Sequence, residues 1–113
     1  MRVSSLKLTK LVITFCIGLH LTPAQSETVT IKGSRSCGTW IQDRKINDAI
    51  DSETWVIGYL SGIAVSYNKD ILRNSDNSSL YLWIDNYCQK NPLNRISHAA
   101  KELANELAKI NNL

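Results

Sequence analysis

The first 26 residues carry the pattern of a secretory signal peptide. A start with three basic residues precedes an apolar run of 11 residues at 11–21, and the small residues around Ala24-Gln25-Ser26 suit a cleavage site. The apolar run is well short of the roughly 20 residues that a membrane-spanning helix needs, which argues against the alternative of an uncleaved anchor. The sequence therefore predicts an exported protein, periplasmic or secreted, that is cleaved after Ser26.

Cleavage changes both the size and the charge of the chain. It leaves 87 residues, enough for one small domain with a limited core. Three of the 13 basic residues leave with the signal peptide, so ten basic residues balance the ten acidic ones. A neutral chain without a basic run argues against nucleic acid and anionic membranes as partners, and we expect no stable membrane insertion. We expect a flexible arm at 27–35 and a single helical domain at 36–113.

Two cysteines remain after cleavage, because Cys16 belongs to the signal peptide. The pair Cys37 and Cys88 suits one disulfide in an oxidising compartment. A redox site or a metal site is the alternative, but the chain has no Cys-x-x-Cys and only His98 remains as a histidine. The 51-residue separation would stabilise the fold by roughly 4 kcal/mol on the chain-entropy model. We therefore predict a structural disulfide.

Apolar residues at helical spacing predict an all-α fold, a small bundle of about four helices. A short first helix is expected over about 37–45, and a second helix begins at an N-cap on Asp51 or Ser52. Gly58 and Gly62 share one face of the second helix, which predicts that another helix approaches closely there. The apolar stripe of this helix consists of Trp55, Val56, Tyr59, Leu60 and Ile63.

The third and fourth helices follow a long polar connection at 67–79. The third is predicted to run from about Ser79 to Lys90, where Asn91 and Pro92 end it. Asn91 can also cap the fourth helix, with Pro92 at its first position. The fourth helix has an unbroken apolar stripe, made of Ile96, Ala99, Ala100, Leu103, Ala104, Leu107 and Ile110.

The chain is poorly supplied with catalytic groups. His98 is the only histidine after cleavage, and Asp48 and Asp85 are isolated acids without a visible partner, as expected of surface carboxylates. The sequence contains no glycine-rich phosphate loop and no nucleophile elbow. Zinc needs three or four ligands at suitable spacing, which are not present. We therefore predict that the protein is not an enzyme and takes no metal or other cofactor.

Aromatic residues are the other candidates for function, since seven Trp and Tyr residues follow the signal peptide. They either fill a small helical core or lie at a binding surface, where Trp and Tyr dominate the binding energy. Tyr81 is the best surface candidate. It lies only in part opposite Trp83 and Ile84 of the inner face, which places it at the edge of the third helix. The predicted partner-binding residues are Trp55, Tyr59, Tyr81, Leu103 and Leu107.

The cysteine positions, the Gly- and Tyr-containing second helix and the segment Tyr87-Cys88-Gln-Lys-Asn-Pro92 resemble the HdeA/HdeB family of small periplasmic acid-stress chaperones. In that family two cysteines form one disulfide, which would correspond to Cys37 and Cys88. Residues 55–62 and 83–93 also resemble a group of uncharacterised exported bacterial proteins. The Rap/Tai immunity proteins, which neutralise toxins delivered by type VI secretion, are similar in outline.

These resemblances imply a non-catalytic function in which the chain binds other proteins. The leading expectation is an acid-stress chaperone that binds unfolded clients, and the alternative is an immunity-type inhibitor of a secreted toxin enzyme. A small hydrolase or redox protein is the third functional class. The chain could also pair with a second copy of itself as a homodimer.

Overall fold

The computed structural model describes Gly18 and residues 28–113, so the predicted signal peptide and its cleavage site lie outside the described residues except for Gly18. The described part is a bundle of four helices, as the sequence predicted. The helices are α1 (Cys37–Lys45), α2 (Ile50–Tyr67), α3 (Asn77–Lys90) and α4 (Ile96–Ile110).

The core lies between α4 and the two helices that flank it. α4 packs against both α2 and α3, and α1 packs against α3 and adds Cys37 and Trp40 to the same core. Burial of the apolar stripe of α4 drives this arrangement, because removing apolar surface from water is the main favourable term in folding. The buried residues of α4 are Ile96, Ser97, Ala99, Ala100, Leu103, Ala104 and Leu107.

The predicted disulfide is confirmed. Cys37 begins α1 and Cys88 lies near the end of α3, with their Cα atoms 4.9 Å apart and both side chains fully buried. The bond therefore joins α1 to α3, whereas α2 and α4 are held in the bundle only by noncovalent contacts and by their connections along the chain.

The starts of α2 and α3 differ from the predicted ones. α2 begins at Ile50 after Ala49, which forms no side-chain cap, so Asp51 and Ser52 lie inside the first turn. α3 begins two residues earlier than predicted because Asp76 caps it. The backbone N–H of Ser79 donates to Asp76 Oδ1 over 2.8 Å.

The prediction that Asn91 caps α4 is wrong. Asn91 instead ends α3, and its Nδ2 donates to the carbonyl of Tyr87 over 3.0 Å. Residues 91–95 form a turn, and α4 begins only at Ile96. The reason is tertiary, because the Ile96 N–H donates to the carbonyl of Arg35, which holds the start of α4 against the segment that precedes α1.

The arm before α1 has specific contacts over its second half. Residues 28–31 are exposed, but Ser34 is only 3% exposed. Ser34 Oγ accepts from the backbone N–H of Ser97 over 3.0 Å, and the guanidinium of Arg95 donates to the Ser34 carbonyl. Nearer the chain start, Trp55 Nε1 donates to the carbonyl of Lys32 over 2.9 Å. These bonds fix the arm against α2 and α4.

The polar connection between α2 and α3 is also anchored in the core. It follows the left-handed C-cap Asn68, and Ile71 in its middle is 3% exposed. Asn111, at the end of α4, donates from Nδ2 to the carbonyl of Ile71 over 3.1 Å. Within the described residues, no helix combines the length and apolar character that crossing a bilayer requires.

Candidate functional site

The outer side of α2 carries an open groove with an aromatic wall. The rings of Trp55 and Tyr59 stack with centroids 4.9 Å apart and planes inclined by 13°. The hydrogen bond from Trp55 to the arm fixes the orientation of this pair. The groove has a volume of about 540 Å³ and is lined by Ile31, Lys32, Trp55, Gly58, Tyr59, Gly62, Ile63 and Ser66.

The expected close approach of another helix at Gly58 and Gly62 does not occur within the described chain. A Cβ atom built on either glycine meets nothing within 4 Å. The reason is that α2 turns Val56 and Leu60 toward the core, which places the two glycines on the solvent side. Residues 54–67 contain no charged side chain, so this open face of α2 is also uncharged.

The structure places the other predicted partner-binding residues away from this groove. Leu103 and Leu107 are 2% and 7% exposed on the inner face of α4. Both also line a second groove, together with Trp83. Thus Trp55 and Tyr59 lie together, while the two leucines form part of the core.

Tyr81 lies in a third region, between α1 and α3, apart from both grooves. It is half-buried, and its ring centroid lies 6.2 Å from that of the buried Trp40. The guanidinium carbon of Arg44 lies 5.7 Å from the Tyr81 ring centroid, within the range of a cation–π contact. Burial raises the pKa of the Tyr81 phenol, and the nearby charge of Glu53 raises it further.

The prediction that Asp85 is an isolated acid is wrong. Arg44 donates from Nε to Asp85 Oδ1 over 3.0 Å and from Nη2 to Asp85 Oδ2 over 2.9 Å, a two-pronged ion pair. Trp40 Nε1 donates to Asp85 Oδ1 over 2.7 Å. The third guanidinium nitrogen, Nη1, donates to Glu53 Oε1 over 2.6 Å. One arginine therefore links α1 to both α2 and α3.

The electrostatics of this cluster favour a permanently charged guanidinium. The hydrogen bond to Asp85 is the main cause that raises the pKa of Arg44 above its ordinary value; burial opposes it, and the hydrogen bond to Glu53 raises the pKa further. The side chains of Arg44, Glu53 and Asp85 are 31%, 18% and 25% exposed, so the cluster is only partly shielded from water. Sequence reasoning missed it because Arg44 and Asp85 are 41 residues apart and no local pattern connects them.

The remaining titratable candidates form no comparable centre. His98 is exposed near the start of α4. In residues 28–113 no group of three or more His, Cys, Asp or Glu side chains is placed to hold a metal ion.

The geometry thus offers two features for a functional argument: the groove on α2 and the Arg44 cluster. Comparison of the chain with known protein families, curated proteins and solved structures finds no match.

Proposed function

We propose that this chain is an exported, non-catalytic protein-binding protein that acts as an acid-stress chaperone of the HdeA/HdeB kind. The observation that supports this best is the position of the covalent link. The disulfide joins α1 to α3, whereas α2 and α4, which carry the two main apolar stripes, are held without a covalent crosslink. Such a domain can loosen and expose apolar surface while its crosslink keeps it compact.

The charge balance provides the driving force for loosening in acid. Protonation of the ten carboxylates leaves ten basic side chains and His98 charged, with no acidic partner to balance them. Mutual repulsion of these charges opposes the compact state. Partial expansion with retained helices is the expected form of a small protein under such conditions.

Two surfaces would become available to an unfolded client. On α2, the Trp55 and Tyr59 stack is already partly open, and separation from α4 would add Val56 and Leu60. On α4, the same separation would expose the stripe that includes Leu103. Apolar surface of this kind binds the exposed apolar segments of other chains without requiring a particular sequence.

Aggregation of an acid-sensitive client, measured from pH 7 down to about pH 2, tests the proposal. We expect suppression of aggregation only in acid, together with increased binding of an apolar dye and largely retained far-UV circular dichroism. The reduced protein is the control, because without the disulfide acid should unfold the chain extensively rather than loosen it. A domain that stays native at pH 2, or that expands without protecting any client, would contradict the chaperone and favour the immunity-type inhibitor.

Export is a separate part of the proposal. The signal peptide predicts that the mature protein begins at Glu27. Intact-mass measurement of the protein purified from the periplasm or medium should give the mass of residues 27–113. A retained Met1 would contradict both the cleavage and the balanced charge on which the acid argument depends.

A further inference from the structure

We propose that Arg44, Glu53 and Asp85 form an acid-sensitive latch that holds α2 on the bundle at neutral pH. The latch concerns how the domain opens. It rests on the proposed function only in what the opening would serve, which is the binding of clients. Its position makes it suited to this role, because one guanidinium contacts carboxylates from two different helices.

The link from Arg44 to Glu53 is the main polar connection between α1 and α2. α2 packs on α4 and has few contacts with α1. A second ion pair, Arg35 to Asp51, also reaches α2, but its atoms are 3.9 Å apart and its side chains are 47% and 85% exposed. Exposed pairs of this kind contribute little to stability. The 2.6 Å contact of Arg44 with Glu53 therefore carries most of the polar attachment of α2 to α1.

The charged and titratable groups around the guanidinium determine what acid does to it. α2 contributes Glu53, and α3 contributes Asp85 and the phenol of Tyr81. From α1 itself, Lys45 lines the same small surface groove as Arg44 and Asp85. Among the described residues, α4 contributes none of the hydrogen bonds or ion pairs of the cluster.

Acid removes the partners of the guanidinium but not its charge. Acid protonates carboxyl groups, whereas arginine stays charged. A cation that loses its paired anions while partly buried is costly, and hydration relieves that cost. Arg44 and Glu53 are both partly exposed, so water can reach the guanidinium once the first turn of α2 moves away. The positive charge of Lys45 adds to the repulsion when Asp85 is neutral.

Loss of the two anionic partners of Arg44 should release α2 from α1 before it releases α3. The disulfide through Cys88 ties α3 to α1, and Trp40 can still donate to the carbonyl oxygen of a protonated Asp85. α2 has neither attachment to α1. Once the Arg44–Glu53 pair is lost, α2 is held by its packing on α4 and by the Trp55 bond to the arm, so separation of α2 is the expected first step in acid and exposes the side that carries Val56 and Leu60.

The substitution Glu53→Gln mimics a protonated carboxyl group at neutral pH and tests this inference. We expect hydrogen exchange of the α2 amides at pH 7 to become about tenfold faster, since hydrogen bonds between charged groups are the strong ones. Exchange of the α3 amides should not change. Asp51→Asn is the matched control, because it removes one negative charge from the same helical turn but leaves the contact with Arg44 intact. Equal exchange in the wild type and Glu53→Gln, or an equal effect of Asp51→Asn, would overturn the latch.

The acid transition gives a second, independent readout. The pH at which α2 loses protection should be higher in Glu53→Gln than in the wild type, and Asp85→Asn should shift it in the same direction. Failure of both variants to shift this pH would overturn the latch even if one of them proves poorly folded at neutral pH. Client protection in acid by the wild type decides the proposed function separately. Client protection without a shift in the pH at which α2 opens would contradict only the latch. A shift in that pH without client protection would contradict only the chaperone.

Discussion

Among single residues, Gly33 has the most restrictive backbone requirement. Its φ is +76°, in the left-handed region that favours glycine. A Cβ atom at this position would lie 2.8 Å from Trp55 Nε1 and 2.9 Å from Trp55 Cδ1. The indole lies there because it donates to the carbonyl of Lys32. Gly33 therefore lets the arm pass directly over the aromatic wall of the groove.

Gly33→Ala should lower the free energy of unfolding by roughly 1 to 3 kcal/mol, because it combines a strained φ with displacement of the indole. Urea unfolding curves followed by tryptophan fluorescence measure this change. Gly62→Ala is the matched control, since its Cβ meets nothing within 4 Å and φ is helical. It should raise stability by about 0.5 to 1 kcal/mol. Equal effects of the two substitutions would contradict the contact between the arm and Trp55.

At the scale of the helices, α3 begins at a charged side-chain cap. Both the backbone N–H and the hydroxyl of Ser79 donate to the carboxylate of Asp76 over 2.8 Å. The backbone hydrogen bond is the main cause that lowers the pKa of Asp76 below its ordinary value. A lowered pKa in the folded state means that the cap stabilises α3 above the unfolded pKa and that this contribution is lost as the pH falls through the folded pKa.

Asp76→Ala should therefore destabilise the protein at neutral pH and have a much smaller effect in acid, where the wild-type carboxylate is also neutral. Asp76→Asn keeps a side-chain acceptor for the Ser79 N–H, so it should cost less than alanine at neutral pH. Thermal unfolding at several pH values measures the comparison. A destabilisation by alanine that does not depend on pH would show that the charge of the cap has no role.

For the molecule as a whole, the disulfide is the largest single constraint. Cys88→Ser should lower the free energy of unfolding by roughly 2 to 5 kcal/mol, because the unfolded chain is no longer closed into a loop of 51 residues. Denaturant unfolding with and without reductant measures this effect in the wild type. Cys37→Ser should give a similar loss, and the double substitution should add little to either single one. Coincident curves for oxidised and reduced protein would contradict the prediction.

At the same scale, the ion pairs bear on the proposed response of the domain to acid. All four ion pairs of residues 28–113 involve Arg35 or Arg44, and each uses a carboxylate. Arg44 lies in α1 and Arg35 precedes it, and their carboxylate partners come from α1, α2 and α3. Protonation of these carboxylates would remove the ion pairs, whereas the contact of α2 with α4 depends on apolar packing.

Local patterns in the sequence were sufficient to predict four helices and one disulfide, although not where α2, α3 and α4 begin. The stripes of α2 and α4 repeat every three or four residues, and burial of one face of a helix follows from that period. The Cys37–Cys88 pair followed from the even count of cysteines after the predicted cleavage site, and the structure confirms it. These features are local or compositional, so they can be recognised without knowing which segments become neighbours.

Only the tertiary structure decided which face of α2 is open and where the charges meet. Residues 54–67 are uncharged on every side, so the sequence could not show that Gly58 and Gly62 face solvent rather than another helix. The start of α4 depends on a hydrogen bond from Ile96 to Arg35, and the partner of Arg44 lies 41 residues away at Asp85. Each of these contacts joins segments that are distant in the chain, and their meeting depends on how the helices pack together.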